Sequence, residues 1–225
     1  MKSQFILATN KHGEYCIPVA ASHRPAAQHV IKGEVWEDET IEFMIKHARA
    51  ADIITAGVFF GDALPALARA TTGTVWGFEP NPENFRCAAI TVLLNDLRNV
   101  QLTNAALGEM EATSMHLMIR DQSGRSLGGL SHVIDKSSDS TVPIQMVTVD
   151  RIVPATAEVS IVHLDLEGFE EFALFGAKKI IETKRPLLIL ESVPTANSMA
   201  GCFLASLGYR PTRVLSSVNT LLECQ

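Results

Sequence analysis

Apolar residues are distributed along the chain in two alternating rhythms. Short, nearly continuous apolar runs of strand length occur at residues 52–56, 74–79, 100–104, 159–165 and 186–191. Between several of them lie stretches rich in Ala and Leu, or with apolar positions three and four apart. The first rhythm predicts strands and the second predicts helices packed over them, which together specify a mostly parallel α/β sheet with helices on both faces. Residues 51–82 hold the clearest unit: a strand, a turn at Gly57-Val58-Phe59-Phe60-Gly61-Asp62, a helix over 63–70, and a second strand ending at Glu79. In residues 34–48, Ile41, Met44, Ile45 and Ala48 recur at helical spacing, with acids in the first turn and bases in the last, as the helix dipole favours. Asn81 and Pro82 predict the start of another helix, as cap and first helical residue, running through Phe85, Ala88, Ala89, Val92 and Leu93 to Asn95. A helix over 195–208 and an antiparallel hairpin over 209–225 complete this pattern.

Two segments depart from it. Residues 1–33 show only brief strand-like runs, which predict a small cap or hairpin over the sheet. Residues 111–150 carry two strand-like runs around a polar stretch, 120–141, rich in Gly, Ser and Asp. This predicts a β insertion paired with itself, and a loop of that length is either a lid over the ligand or disordered. The reading is a single domain spanning residues 1–225.

The turn after the first strand bears on function, because ligands of parallel sheets bind at the carboxyl ends of the strands. Gly57 and Gly61 let the backbone turn sharply and let a ligand approach, although glycines in such a turn also serve plain geometry. Glu79 follows about twenty residues later at the end of the neighbouring strand, where a carboxylate can accept both hydroxyls of a ribose. The G-x-x-x-G spacing differs from the G-x-G-x-x-G that seats a pyrophosphate, which counts against a dinucleotide and an NAD-linked oxidoreductase. S-adenosylmethionine has a ribose and no phosphate.

Three further segments share a known pattern. Residues 78–85, Phe-Glu-Pro-Asn-Pro-Glu-Asn-Phe, then Asn104-Ala105-Ala106-Leu107-Gly108, then Leu164-Asp165-Leu166-Glu167-Gly168-Phe169-Glu170 resemble, in order and spacing, the motifs of the FkbM-type methyltransferases over residues 33–194. The resemblance implies a Rossmann-like class I methyltransferase fold, S-adenosylmethionine as cofactor, and methyl transfer to a hydroxyl of a sugar, macrolide or related small molecule. It puts candidate cofactor contacts at Thr55, Gly57, Phe59, Gly61, Asp62, Glu79, Pro80, Asn81, Asn104, Ala105 and Asp165. Asn104 either hydrogen-bonds the adenine edge or caps its own turn. Asp165 is the leading candidate for the base, with His163 two residues earlier on the same strand face and Glu167 in reserve. The ordinary alternatives are a helix-start acid for Asp165 and an inner, hydrogen-bonded histidine for His163. Trp36 and Glu37 either help close the site or serve as a packing aromatic and a helix-start acid.

The chain also departs from the family pattern. Thr55 stands where the first strand usually ends in an acid, His163 where a lysine is common, and Val58, Phe59 and Phe60 where the turn usually carries small or polar residues. These changes keep open a degenerate relative that binds a nucleoside or a protein partner without catalysis.

Composition narrows the rest. Apolar residues make up 47% and charged residues 20% of the chain, enough to bury a sizeable core. The net charge of -6, with Lys and Arg scattered, argues against a nucleic acid partner. Cys16, Cys87, Cys202 and Cys224 lie far apart without a C-x-x-C pair, which argues against zinc and suggests buried thiols in a reducing compartment. Asp165, Glu167 and Glu191 could supply oxygen ligands to a divalent ion, but no ligand spacing requires one, so no metal is expected. No apolar run reaches membrane-spanning length and the first ten residues do not read as a signal peptide, so a cytoplasmic protein is expected. The oligomeric state stays open, a homodimer included.

Overall fold

A computed structural model describes residues 4–134 and 136–224, with the backbone alone for Ser114. The elements in chain order are β1 (Phe5–Asn10), β2 (Gly13–Pro18), α1 (Pro25–Ile31), α2 (Asp38–His47), β3 (Asp52–Ala56), α3 (Leu64–Ala70), β4 (Val75–Phe78), α4 (Pro82–Leu94), β5 (Val100–Thr103), β6 (Ala106–Leu107), β7 (Ala112–Met118), β8 (His132–Ile134), β9 (Thr141–Val147), α5 (Val149–Ile152), β10 (Val159–Leu164), α6 (Glu170–Gly176), α7 (Lys178–Lys184), β11 (Leu187–Leu190), α8 (Met199–Ser206), β12 (Tyr209–Leu215) and β13 (Asn219–Cys224).

The central sheet has the order β12-β13-β11-β10-β3-β4-β5. Its five strands from β11 to β5 are parallel, while β13 runs antiparallel to both β11 and β12. Strand β10 is buried at every position, as a strand covered on both faces must be. One face packs Ile54, Val162, Leu164 and Leu188 under α5 to α8; the other packs Ile53, Ile161 and Ile189 under α2, α3 and α4. This is the class I methyltransferase architecture, including the terminal antiparallel pair. Strand order reverses between β3 and β10, so their carboxyl ends frame a crevice at the switch point.

Local signals in the sequence account for the helices beside the crevice. The Asn81 side chain accepts the Glu83 amide and Pro82 opens α4, as cap and first-turn residue. The buried face of α4 is Asn84, Cys87, Ala88 and Thr91, whereas Leu93, placed in the core stripe by its apolar character, is exposed. In α2, Ile41 and Met44 are buried, with Asp38 and Glu39 in the first turn and Lys46 and His47 in the last.

Residues 1–3 of the N-terminal segment lie outside the described residues. The hairpin β1–β2 is formed as expected but packs on α4, where Thr91 Oγ1 accepts the Cys16 amide and donates to the Phe60 carbonyl. In the insertion, β7 pairs with β8 and β9, and β9 also pairs in parallel with β6, so the small sheet is anchored outside the insertion itself. Cys16 and Cys87 are buried; Cys202 and Cys224 are exposed, contrary to the expectation of four buried thiols, because one faces outward on α8 and the other ends β13. No helix among the described residues is long and apolar enough to cross a membrane.

The crevice depends on Gly57. Its φ is +81°, and a Cβ atom there would stand 1.9 Å from the Asp165 carbonyl oxygen. Gly124 shares a positive φ of +80° but has nothing within 4 Å of such a Cβ. Gly57→Ala is therefore expected to lower unfolding stability by about 2–4 kcal/mol, and Gly124→Ala by only about 1. Urea midpoints compare the two; equal losses would contradict a steric role for position 57.

Candidate functional site

Two cavities adjoin at the carboxyl ends of β3, β4 and β10. The larger, about 200 Å³, is lined by residues from before and within α2, from the turn 57–64, from the end of β10 and from residues 129–130. The smaller, about 30 Å³, lies over the ends of β4 and β5 and is lined by Glu79, Pro80, Ala105, Phe169, Gly129 and residues 131–133 among others. Gly57, Gly129 and Asp165 border both.

Glu79 stands at the end of β4, only 4% exposed. Its Oε2 accepts the Phe59 amide at 2.9 Å; its Oε1 accepts the Asn81 amide at 2.9 Å and Asn84 Nδ2 at 3.4 Å. A carboxylate has about four lone-pair sites, so acceptor capacity for a hydroxyl remains. Burial pushes its pKa up to about 7 against the pull of these donors.

The turn is held open by an unusual backbone. Phe59 has a φ of 50°, a left-handed conformation in which bulky residues are uncommon. Its ring lines the larger cavity and lies beside Gly128 and Gly129, while Phe60 turns away into the hairpin core against Tyr15. The two phenylalanines therefore do not both occupy the crevice.

Segment 128–133 lies over the crevice, with Gly129 and Leu130 on the larger cavity and Gly129 and residues 131–133 on the smaller. Asn84 Nδ2 donates to the Gly128 carbonyl at 3.2 Å, and Asn81 Nδ2 to Ser131 Oγ at 3.2 Å. A Cβ at Gly128 would meet Arg24, Ala21 and Phe59, so this strap touches the N-terminal segment as well.

At the end of β10, carboxylates crowd together. One oxygen from each of Asp165, Glu167 and Glu191 lies within 4.8 Å of the others, an oxygen set of the kind divalent cations accept. Burial first, then the charge and hydrogen bond of Glu191, hold Asp165 well above the usual carboxylate range. Burial and the Glu191 charge push Glu167 up to about 7, and burial with the charge of Asp62 does the same to Glu37. Asp62 is pushed up to about 6 by burial. All five line the larger cavity, where the only Lys or Arg is Arg24.

Thr55 and His163 face each other across the β3–β10 ladder, and Thr55 Oγ1 lies 3.1 Å from His163 Nδ1. Burial holds the imidazole neutral, with its pKa lowered to about 4.

The crevice thus gathers Thr55, Gly57, Phe59, Asp62, Glu79, Pro80, Ala105, His163, Asp165 and Glu167. It does not gather Gly61 or Asn81, which support the turn and cap α4 from behind. Asn104 is also outside: its amide donates to the Glu79 and Pro80 carbonyls at 2.7 and 3.2 Å, so it closes the β4 turn and does not face either cavity. Arg24, Thr40, Gly129 and Leu130 line the crevice without having been read from the sequence, because they come from segments with no shared motif. Thr40 alone left a trace, as a hydroxyl on the apolar stripe of α2 one turn before Met44.

The model of the methyltransferase FkbM domain matches residues 52–211, most of the chain. The chain belongs to the FkbM methyltransferase family. Among solved structures, the FkbM methyltransferase from Methylobacillus flagellatus KT is similar in fold, with 17% identity and a TM-score of 0.51 over 77% of this chain and 43% of that one. This chain therefore spans less than half of that relative's length. M. jannaschii TYW2, solved in complex with AdoMet, is similar over 100% of this chain and 89% of its own, at 13% identity and a TM-score of 0.51. Comparison with curated proteins finds no match. Thr55 and His163, two positions where the sequence departs from the pattern its resemblance implies, form one neutral hydrogen-bonded pair.

The raised carboxylates make stability depend on pH. A carboxyl whose pKa is higher folded than unfolded contributes stability below its unfolded value and loses it as pH rises through the folded value. For Asp62, Glu37, Glu79 and Glu167 that window runs from the ordinary range near 4 to about 6–7. His163 acts oppositely, favouring the fold above its unfolded pKa of 6.5 and losing that as pH falls toward 4. Four groups outweigh one, so the ligand-free protein is expected to melt lower at about pH 8 than at about pH 5.5, by about 2–4 °C for each kcal/mol lost. Calorimetric melting checks this; a higher melting temperature at the alkaline end would contradict the burial of these acids.

Proposed function

We propose that the protein is an S-adenosylmethionine-dependent O-methyltransferase acting on a hydroxyl of a small molecule. The observation that carries the proposal is the position of Asp165, at the border of both cavities. One cavity has the acid of a ribose site and the other the volume and polar wall of an acceptor site. Glu79 would hold the ribose, with Pro80, Ala105 and Phe169 around the base. Gly57, which borders both cavities and carries no side chain to crowd a ligand, fits the same guest. When bound, S-adenosylmethionine supplies a methyl group already activated on a sulfonium.

What remains for the protein is alignment and proton removal. Holding an acceptor oxygen in line is worth up to about 7–11 kcal/mol, and a positioned base about a hundredfold or more. Asp165 and Glu191 are hydrogen-bonded, and the raised pKa of Asp165 leaves one proton on the pair, so an alcohol proton moves onto Asp165 as the shared proton moves to the Glu191 carboxylate. The strap 128–133 would exclude water from this step. The carboxylate wall disfavours a polyanionic acceptor at the reacting end, which supports a small neutral or cationic one.

Isothermal titration with S-adenosylhomocysteine tests the cofactor assignment. Wild type is expected to bind, and Glu79→Gln, which keeps the shape but weakens the charge-assisted bonds, to lose about tenfold or more. Unchanged affinity would remove the ribose assignment, and no binding by wild type would favour a non-catalytic relative.

A further inference from the structure

The strap over the crevice is tied to the acid of the smaller cavity through side chains that line neither cavity. Asn84 is 2% exposed, and its Nδ2 serves two partners, donating to Glu79 Oε1 at 3.4 Å and to the Gly128 carbonyl at 3.2 Å. An amide nitrogen carries two hydrogens, so both are committed, one to the acid and one to the strap. Asn81 repeats the link beside it. Its backbone amide donates to the same Glu79 Oε1 and its Nδ2 to Ser131 Oγ, which itself donates to the Gly128 carbonyl at 2.7 Å. A third tie runs through Phe59, whose amide donates to Glu79 Oε2 and whose ring lies beside Gly128 and Gly129.

These ties decide where the acid can still accept. Each carboxylate oxygen offers two acceptor sites. On Oε1 both are taken, by the Asn81 amide and by Asn84, whereas Oε2 accepts the Phe59 amide alone and keeps one site vacant. When the strap lifts, Gly128 withdraws from Asn84 Nδ2, the buried amide loses its second acceptor, and nothing holds its other hydrogen on Oε1. At 3.4 Å that bond is the longest of the three to the acid, so it is the one that yields. The vacancy is then shared between two oxygens instead of standing on one.

We infer that Asn84 is a positioning residue that couples the strap to the ribose acid: with the strap seated, it fixes Glu79 Oε2 as the oxygen that receives a ribose hydroxyl. The inference rests on the reading of Glu79 given above and goes beyond it, because hydroxyl recognition comes to depend on a distant segment of the chain. Coupling of this kind is reciprocal: the factor by which strap seating strengthens ribose binding is the factor by which ribose binding strengthens strap seating. An order of events follows. The cofactor seats the strap, and the strap completes the wall of the larger cavity at Gly129 and Leu130, so the acceptor meets a finished site only once the cofactor is in place.

The test titrates the full chain with S-adenosylhomocysteine and with its 2′,3′-dideoxy counterpart, which keeps the base and the tail and lacks the hydroxyls. Wild type is expected to prefer the first by about tenfold or more. Gly128→Ala unseats the strap from its far side, because a Cβ there would stand 2.8 Å from Arg24 Cγ and 3.0 Å from Ala21 Cβ. It and Asn84→Ala are each expected to reduce the preference severalfold, and the double variant no further. A strap that only touched the ligand would weaken both ligands alike in Gly128→Ala and leave the preference intact. Ser131→Ala, a milder strap variant that removes the Asn81 tie, is read in the same way. Arg125 and Lys136 are exposed on either side of the strap, so tryptic cleavage after them reports its seating. S-adenosylhomocysteine is expected to slow that cleavage severalfold in wild type and not in Asn84→Ala. In Asn84→Ala the Gly128 carbonyl keeps Ser131 Oγ and Glu79 Oε1 keeps the Asn81 amide, and ligand-free melting temperatures show whether each variant folds. Full preference retained in both strap variants, or cleavage of wild type unaffected by bound ligand, overturns the coupling and spares the ribose reading; a wild type that shows no preference, or does not bind S-adenosylhomocysteine, overturns both.

Discussion

The contact between Gly57 and the Asp165 carbonyl is the constraint around which the rest is arranged. Strands β3 and β10 are hydrogen-bonded through Leu164 and Ala56, and the Asp165 amide still reaches the Ala56 carbonyl at 3.1 Å. Just beyond, the chains must separate, one into the turn toward α3 and the other toward α6. The separation starts while the backbones are almost touching, which only a residue without a side chain permits. Everything at the crevice is measured from this fork: Thr55 and His163 lie below it, Asp165 on its lip, and Glu79 one strand across.

Charge is the second organising feature. Five carboxylates line the larger cavity with a single arginine, and burial raises the pKa of four of them, Glu37, Asp62, Asp165 and Glu167. Glu79, raised by burial as well, belongs to the smaller cavity, so the acidic character continues through the fork. Such an arrangement costs stability in the empty protein and is characteristic of sites shaped for reactivity or for cationic guests. The neutral Thr55–His163 pair lowers that cost at the one place where two strands force side chains together.

Much of the fold was legible because its determinants are local. The buried strand runs, the Asn81-Pro82 helix start and the charge gradient along α2 each encode an element within a few residues. The candidate site was legible where one segment carries a motif, as at Gly57, Glu79 and Asp165. It was not legible where the lining is shared between segments. Arg24, Thr40 and Gly129 come together around the larger cavity only through the sheet order and the strap, and no spacing in the chain announces them. Asn104 shows the reverse case: the residue belongs to a motif of the sequence, and of its two open roles the structure shows the turn, with the carbonyls of residues 79 and 80 using its amide.

The Thr55–His163 contact also couples two positions that lie 108 residues apart in the chain. Both side chains are buried, on neighbouring strands at the centre of the sheet. A charge placed at either position alone would be buried without its opposite, so the chemistry of the pair can change only as a unit.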